Sequence, residues 1–540
     1  MKKLFLLAFV LPATALLAAD VCEGLEKSRF YGRMGEMVEV PENTLRAYRF
    51  AIDNGFPVEI DLFATKDGEL VAVNDENLKA KAKIGKHPGQ CNWKGELENV
   101  DIGAWKQGSW MGNWKNAGLR IPRIGQILRL LPKDSVNQFH LRDGGTESAR
   151  LLRKALDAQN NVREENVIVI GRNAQQRRIF PKAAFWLDCA GADPSVAAEK
   201  ARAVGASGIA VAWDADKITS GFVGRCRKKG IAVNVLVGND PKAALEALRR
   251  GADSVTGESA PYLFASACGY AAAPRLRFDE RNIVAHRGES EEAPENTMPA
   301  FVAAAKGGFA IELDLYMSLD GEVFCTHDQR MYRKGCNLPM YEWTTNLYWK
   351  GQVENADAGV WMGEQWRGTK YPRLEEVLPL VEKFGVWMIL EIKDPRKAQI
   401  MPKVERIVKS FPFLGPHNIV IAGGAGYMRE YNITATCLTR KGWLADDEKH
   451  DCFGYVKRLD AKSVAMYAPR WDNLLLSEEL VSAAHARGVK VSTWTVNDAG
   501  LALEAIRRGV DYVLSDRPNA IFREMKAARK LDGDASAMMP

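Results

Sequence analysis

The sequence has no Cys-x-x-Cys pair, although it contains nine cysteines in 540 residues. A zinc finger or a dithiol redox motif is therefore not indicated. No dense block of lysine and arginine stands beside an aromatic stretch, so the net charge of +6 does not indicate nucleic acid as a partner. After the N-terminal segment no apolar run is long enough for a bilayer span of about 20 residues. Stable membrane insertion is therefore not expected.

The N-terminal segment is of a different kind. Lys2 and Lys3 precede an apolar run, Pro12 and then small residues that end at Ala19. This order is typical of a secretory signal peptide, here residues 1–19. A membrane anchor is the alternative, but the run is short for a span of about 20 residues and Pro12 interrupts it. The sequence therefore predicts export, to the periplasm or the extracellular space, and export permits local disulfides such as Cys325–Cys336.

An internal repeat organises the rest of the chain. The motif PENT at residues 41–44 recurs at 294–297, and VEIDL at 58–62 recurs as IELDL at 311–315 with the same offset. Near the end of each copy, ALRRGAD at residues 247–253 recurs as AIRRGVD at residues 505–511. Ordered matches over such a length show that the chain is a duplication.

Each copy has the pattern of a parallel α/β barrel. Short apolar runs read as buried parallel strands, with amphipathic helical stretches between them. Each copy is roughly 240 residues long, the usual size of a (β/α)8 barrel of the triosephosphate isomerase (TIM) type. We therefore expect two tandem barrels of the α/β class. The predicted segments are a first barrel at 25–264, a linker at 265–281, a second barrel at 282–527 and a flexible tail at 528–540.

Acidic residues in the second copy follow the predicted strands. Glu312 and Asp314, two positions apart, point the same way from one strand, and Glu391 ends a later strand. The carboxyl ends of parallel barrel strands meet on one face, where functional residues lie. Three carboxylates from two strands are a ligand set for a hard divalent cation, Ca²⁺ or Mg²⁺.

Basic residues lie at the same strand ends. His286 and Arg287 close the first strand of the second copy, His327 follows a short apolar run, and Lys393 comes two positions after Glu391. Two histidines supply a base and an acid near neutral pH, while arginine and lysine neutralise a phosphate. Together with a cation site, these residues indicate phosphodiester cleavage.

From about residue 282 to 522, the second copy resembles the glycerophosphodiester phosphodiesterases. The resemblance is carried, in the family's order, by His286-Arg287-Gly288, Pro294-Glu295-Asn296-Thr297, Glu312-x-Asp314, Asp320-Gly321, His327-Asp328, Pro372-x-Leu374-Glu375-Glu376, Leu390-Glu391-Ile392-Lys393, Trp494-Thr495-Val496-Asn497 and Gly509-Val510-Asp511. It implies a TIM-type barrel that hydrolyses a small-molecule glycerophosphodiester to an alcohol and sn-glycerol 3-phosphate, with a divalent cation.

The resemblance also implies roles for individual residues. It assigns acid–base catalysis to His286 and His327, phosphate binding to Arg287 and Lys393, and the cation to the three carboxylates named above. Glu295 matches a carboxylate near the site, either a ligand or a hydrogen-bond partner. Trp494 matches an aromatic residue that lines the glycerol pocket, although core packing is the alternative.

The first copy has lost several of these residues. The sequence places Arg33 at the position of His286, Asn74 at that of His327, His140 at that of Glu391 and Leu236 at that of Trp494. Arginine stays protonated and asparagine has no titratable proton, so neither replaces a catalytic histidine. We therefore expect a non-catalytic first barrel.

Other readings remain open from the sequence. In the first copy, Glu59, Asp61 and His140 form either a different metal site or pairs with Arg33 and Arg142. The second copy is alternatively a phospholipase of the sphingomyelinase D kind, or a binding protein, because a barrel fold alone does not prove catalysis. The sequence leaves the alcohol group, the choice of cation, the histidine roles and the oligomeric state undetermined.

Overall fold

The structure is a computed structural model of the chain. It describes residues 25–36, 40–74, 78, 84–104, 117–159, 161–331, 338, 342–422, 435–437, 464–469 and 477–530. The predicted signal peptide, most of the predicted tail and Cys336 lie outside the described residues. Among the described helices, none has both the length and the apolar character needed to cross a bilayer.

Two closed parallel sheets form the centres of the two copies. In the first, eight parallel strands close through pairing of the first two, and a short antiparallel strand, β3, extends the sheet beside β2. Its strands are β1 (Phe30–Arg33), β2 (Val58–Ala64), β3 (Leu70–Ala72), β4 (Asn137–Leu141), β5 (Val167–Gly171), β6 (Ala184–Asp188), β7 (Gly208–Ala212), β8 (Ala232–Gly238) and β9 (Ser254–Gly257).

The second sheet repeats this arrangement. Eight parallel strands close through β10 and β11, and the antiparallel strand β12 lies beside β11. Its strands are β10 (Ile283–His286), β11 (Ala310–Met317), β12 (Val323–Cys325), β13 (Met388–Ile392), β14 (Ile419–Ala422), β15 (Ala435–Cys437), β16 (Val464–Tyr467), β17 (Lys490–Thr493) and β18 (Tyr512–Ser515). The prediction of two tandem (β/α)8 barrels is confirmed.

Helices alternate with the parallel strands. In the first barrel they are α1 (Leu45–Asp53), α2 (Ile124–Leu128), α3 (Glu147–Asp157), α4 (Ala174–Ile179), α5 (Pro194–Ala203), α6 (Ser220–Lys228), α7 (Pro241–Arg249) and α8 (Ala260–Ala272). In the second they are α9 (Met298–Lys306), α10 (Leu374–Val377), α11 (Pro379–Phe384), α12 (Lys397–Lys409), α13 (Glu478–His485), α14 (Ala499–Arg507) and α15 (Pro518–Lys530).

Successive side chains of each strand point alternately to the hydrophobic core around the barrel and into the barrel interior. On β11, Ile311, Leu313 and Leu315 pack in the main hydrophobic core. Because successive side chains of a strand point to opposite faces, Glu312 and Asp314 point into the barrel. β2 follows the same rule with Glu59 and Asp61. The buried apolar residues thus fix which way the carboxylates face.

The loop after the first strand has the same unusual backbone in both copies. Met34 and Arg287 have φ of 58° and 61°, and the glycines that follow, Gly35 and Gly288, have φ of 89° and 86°. A side chain on either glycine would collide with the following helix, since an added Cβ would lie 2.5 Å from the carbonyl carbon of Ala47 or 2.7 Å from that of Ala300. Only glycine therefore fits this turn.

The predicted linker is not an extended connection. The sequence assigned residues 265–281 to it because of an alanine run with Gly269 and Pro274. The structure shows helix α8 continuing to Ala272, followed by short 3-10 turns at Ala273–Arg275 and Glu280–Asn282. The first part of the predicted linker is thus helical and packs against the second barrel, and the linker boundaries stay a prediction.

Helix α8 crosses helix α14 of the second barrel at two glycines. An added Cβ on Gly269 would lie 1.8 Å from the carbonyl oxygen of Gly500. Beside this crossing, the Ser266 hydroxyl donates to Asp498, which also caps α14 by accepting from the backbone N–H of Leu501. The two barrels therefore touch backbone to backbone.

The sequence also offered a local bridge between Cys325 and Cys336. In the structure Cys325 is a buried free thiol at the end of β12, and Cys336 lies outside the described residues. Burial and nearby carboxylates raise the pKa of Cys325 well above its ordinary value. The thiol therefore stays protonated and unreactive.

Candidate active site

Three carboxylates meet inside the second barrel. Asp314 on β11 is paired in register with Glu391 on β13. Glu312 lies two residues before Asp314 and on the same face of β11. Ligand oxygens of the three residues all lie within 4.8 Å of one another. Glu312 and Asp314 are buried, and Glu391 is partly buried. The structure thus brings the three predicted cation ligands together.

The electrostatics of this cluster fit a cation. Burial, with the nearby charges of Asp314 and Glu391, raises the pKa of Glu312 well above its ordinary range. Glu312 Oε1 and Asp314 Oδ1 are buried and accept no hydrogen bond. Buried carboxylate oxygens without partners are costly unless a cation satisfies them. Together with Glu391, these two carboxylates form a suitable ligand set for a hard divalent cation.

Two basic residues border the cluster. Arg287 Nε lies 3.4 Å from Asp314 Oδ2, and Lys393 Nζ lies 2.6 Å from Glu391 Oε1 and 3.5 Å from Asp314 Oδ1. Burial opposes the charge on Lys393, but attraction to Asp314 and Glu391 outweighs it and raises the pKa of the ammonium group. Both side chains are therefore cationic at neutral pH, as binding of a phosphate requires.

His286 is oriented by a carboxylate. Its Nδ1 lies 2.6 Å from Asp516 Oδ1, and the other oxygen of Asp516 accepts a 2.7 Å hydrogen bond from the Asn497 amide. Burial alone would raise the pKa of Asp516, but the hydrogen bond and charge of His286, with Asn497, lower it. An ionised Asp516 accepts the Nδ1 proton, so Nε2 is the nitrogen left for proton transfer.

His327 lies at the edge of a small recess. Its Nδ1 is 3.1 Å from Asp328 Oδ1, and the recess is shared with Glu295, Trp361 and Tyr371. The backbone N–H of the residue before it, Thr326, donates to the carbonyl of Asp314, which places His327 next to the carboxylate strand.

Glu295 and Trp494 have different surroundings. Glu295 Oε2 lies 3.1 Å from an Arg287 guanidinium nitrogen, which places it beside a phosphate-binding candidate rather than within the three-carboxylate cluster. The Trp494 indole N–H donates to the Ala468 carbonyl at 2.9 Å, and its ring packs partly against the barrel interior. The pocket role and the packing role of Trp494 both stay predictions.

Two residues of this site were missed from the sequence. Asp516 follows the last strand, where a carboxylate after an apolar run was the available signal. Asn296 lies in the repeated PENT motif, and its amide donates to Asp314 Oδ2 at 2.8 Å. Neither side chain can be assigned a partner from spacing alone, because the partners lie on distant strands.

The first barrel places its replacements in matching positions. In the strand register, Arg33 lies opposite Glu59, as His286 lies opposite Glu312. His140 lies opposite Asp61, as Glu391 lies opposite Asp314. Leu236 lies opposite Thr256 near the end of β8, whereas Trp494 directly follows the last residue of β17. The predicted alignment of the two copies is thus reproduced strand by strand.

His140 is the centre of this second cluster. Burial opposes its protonation, but hydrogen bonds to Asp188 and Glu59 outweigh burial and raise the pKa of His140 to about 9. Its two ring nitrogens lie 3.1 Å from Glu59 and 3.2 Å from Asp188. Asp188, at the end of β6, was also missed from the sequence.

Comparison with known proteins gives matches in both halves of the chain. The model of the glycerophosphoryl diester phosphodiesterase family matches residues 35–180 and 286–520. A glycerophosphodiester phosphodiesterase of Bacillus subtilis is 35% identical over 271 residues, which cover 45% of this chain and 85% of that protein. One from Caldanaerobacter subterraneus is 28% identical over 244 residues, 44% of this chain and 96% of its own length.

A solved structure is similar over a comparable length. A phosphodiesterase of Oleispira antarctica, determined in complex with the product sn-glycerol-3-phosphate, is 22% identical and covers 46% of this chain and 96% of its own, with a TM-score of 0.39. Each of these relatives therefore corresponds to less than half of the present chain.

Proposed function

Because the chain belongs to the glycerophosphoryl diester phosphodiesterase family, we propose that its second barrel hydrolyses glycerophosphodiesters to an alcohol and sn-glycerol 3-phosphate. The observation that carries the proposal is the cluster of Glu312, Asp314 and Glu391, bordered by Arg287 and Lys393. The family match supports the reaction class, and the cluster supports assignment of the reaction to this barrel.

Glu312, Asp314 and Glu391 would hold a divalent cation, Ca²⁺ or Mg²⁺. When bound, such a cation neutralises charge that develops on phosphoryl oxygens during displacement at phosphorus. Arg287 and Lys393 add fixed positive charge on the same side of the site. Glu295, bonded to Arg287, holds that guanidinium in place.

Proton transfer is assigned to the two histidines. One removes a proton from the attacking oxygen, and the other donates a proton to the alcohol oxygen as its bond to phosphorus breaks. His286, with Nδ1 bonded to Asp516, acts through Nε2. Trp494, which directly follows β17, would contact the glycerol moiety.

The test is release of glycerol 3-phosphate from a panel of deacylated phospholipid headgroups. The full chain without its first nineteen residues is assayed with Ca²⁺, with Mg²⁺ and with EDTA. We expect cation-dependent release, reduced about 10²–10⁴-fold by His286→Ala or by His327→Ala. Near-normal turnover in either variant would remove that histidine from the mechanism.

A matched control uses the first barrel. Glu312→Gln in the second barrel should abolish turnover, whereas Glu59→Gln, at the equivalent position of the first barrel, should leave it unchanged. The reverse pattern would place catalysis in the first barrel. Release of a headgroup only from intact lipid would indicate a phospholipase, and binding of the diester without any turnover would indicate a binding protein.

The remaining proposals concern the other segments. We propose that residues 25–264 form a non-catalytic barrel, supported by Arg33, Asn74 and His140 in place of catalytic residues. We also propose export after cleavage near Ala19, on the strength of the N-terminal sequence. Sequencing of the mature N-terminus tests the cleavage, since a mature chain that begins at Met1 would contradict it.

A further inference from the structure

The first barrel contains its own group of metal-ligating side chains. Glu59 and Asp61 come from β2 and His140 from the neighbouring strand β4, with Asp61 and His140 paired in register. Candidate ligand atoms of the three residues all lie within 4.8 Å of one another. All three side chains are buried, at 0–1% relative exposure. They thus form an enclosed set of donors.

Carboxylate oxygens in this group lack hydrogen bonds. Glu59 Oε2 and both oxygens of Asp61 are buried and accept none. In the second barrel, by contrast, Asn296 donates to Asp314; the corresponding Asn43 instead accepts from the Tyr48 hydroxyl. The nearest cationic groups, on Arg33, His140 and Arg142, lie 3.5–3.9 Å from Asp61, and the aspartate oxygens accept a hydrogen bond from none of them. Buried carboxylate oxygens in this state gain from a closer positive partner, because burial without hydrogen bonds is costly.

The imidazole is oriented so that a metal ion held by the two carboxylates would replace the proton on its Nδ1. His140 Nδ1 lies 3.1 Å from Glu59 Oε1 and 3.5 Å from Asp61 Oδ1, so it faces the two carboxylates. Nε2 faces the other way, 3.2 Å from Asp188 Oδ2. Metal-binding histidines commonly donate their second ring N–H to a carboxylate, which fixes the tautomer and the ring. Asp188 stands where that outer partner belongs.

Nearby arginines do not distinguish this group from the other cluster. Arg33 approaches Asp61 to 3.5 Å, and Arg142 approaches it to 3.9 Å. In the second barrel, Arg287 and Lys393 approach Asp314 to 3.4 and 3.5 Å. The basic residues of the two clusters therefore approach the central aspartate to similar distances.

We propose that Glu59, Asp61 and His140 bind a divalent transition-metal cation in the first barrel, with Asp188 as the outer partner of His140. An imidazole with two carboxylates suits Zn²⁺ better than an all-carboxylate set does, whereas the latter suits Ca²⁺ or Mg²⁺. The two barrels therefore select different metals through one exchanged side chain, His140 against Glu391. This proposal does not depend on the reaction assigned to the second barrel.

The experiment counts bound zinc in the full chain. Glu312→Gln with Asp314→Asn removes the carboxylate cluster of the second barrel, and the protein is dialysed against Zn²⁺ and analysed for metal. One zinc per chain is expected to remain and to be lost when His140→Gln is added. No zinc in the first variant, or zinc that persists after His140→Gln, would overturn the proposal.

Two further measurements separate ligation from loss of folding. Asp188→Asn leaves all three ligands in place and should weaken zinc affinity about 10–100-fold. Bound Co²⁺, as a spectroscopic probe, should give a visible absorption band that His140→Gln removes. His140→Glu should restore a carboxylate set and move the preference from Zn²⁺ towards Ca²⁺. Unchanged zinc affinity in Asp188→Asn and unchanged selectivity in His140→Glu would both contradict the assignment.

Discussion

At the scale of single residues, the chemistry proposed for the second barrel depends on side chains that are held in place by other residues. Arg287 is held by Glu295, Asp314 by Asn296, and His286 by Asp516. Preorganisation of this kind matters because a catalytic group must already be oriented when charge develops. Substitution of the supporting residues should therefore affect turnover more than folding.

Asp516→Asn is the clearest case. The amide cannot accept the Nδ1 proton as a carboxylate does, so His286 loses its fixed tautomer and the charge beside it. We expect kcat to fall about tenfold or more with little change in KM, measured by release of glycerol 3-phosphate. Asp328→Asn, beside His327, is the matched comparison. An unchanged kcat in Asp516→Asn would show that Asp516 does not position the base.

One buried carboxyl group links the stability of the folded protein to pH. Glu289 is buried, accepts hydrogen bonds from Asn519, and has its pKa raised to about 7, first by burial and then by Glu292 and Glu291. The protonated form is thus favoured in the folded protein. Its contribution to stability is complete below pH 4.5, the ordinary pKa of a glutamate, and is lost as the pH rises through about 7.

We therefore expect the free energy of unfolding to fall by about 2 kcal/mol from this group between roughly pH 5 and pH 8. Glu289→Gln cannot ionise and should flatten that part of the profile. Urea denaturation at a series of pH values measures the difference. A Glu289→Gln profile parallel to that of the wild type would contradict the assignment.

At the scale of secondary-structure elements, the contact between α8 and α14 is the feature most open to test. Gly269→Ala places a methyl group where the Gly500 carbonyl lies, so the helices must separate. We expect a loss of about 1–3 kcal/mol in the free energy of unfolding, measured by urea denaturation. Gly224→Ala is the control, because a Cβ there meets nothing within 4 Å and alanine favours a helix. Equal effects of the two substitutions would argue against the crossing.

The same helix shows what the sequence could and could not predict. The apolar strands that carry His286, Glu312 and Glu391 could be recognised locally, because burial alternates along a strand. Helix α8 could not be recognised, because its alanines and Gly269 are typical of a linker in the sequence. Its packing against α14 becomes visible only in the fold. The partners Asp516 and Asp188 were missed for a related reason: a single carboxylate after a strand gains meaning only from a residue on another strand.

At the scale of the whole molecule, the two barrels are held together by the packing of helices as well as by the continuous chain. Helix α8 belongs to the first barrel and is almost entirely buried, with α14 of the second barrel on one side. Domains usually move independently unless their interface is well packed and apolar. The close glycine contact indicates that the two barrels are mechanically coupled.

We therefore predict that the full chain unfolds in a single cooperative transition when it is measured by calorimetry. Gly269→Val should separate it into two transitions, because each barrel retains its own core while the shared contact is lost. Gly224→Val, on an open helix face, should keep one transition at a slightly lower temperature. Two transitions in the wild type would show that the barrels unfold independently.

The turn after the first strand carries one more consequence. Met34 and Gly35 adopt the same left-handed conformations as Arg287 and Gly288, and each turn is closed in the same way, by Asn43 N–H to the Met34 carbonyl or Asn296 N–H to the Arg287 carbonyl. Such a conformation of a residue with a side chain costs about 1–3 kcal/mol. The first copy, for which we proposed no catalytic role, bears the same cost as the second, so the turn is tied to assembly of the barrel. The bent backbone after the first strand therefore follows the fold, and its presence alone does not mark an active barrel.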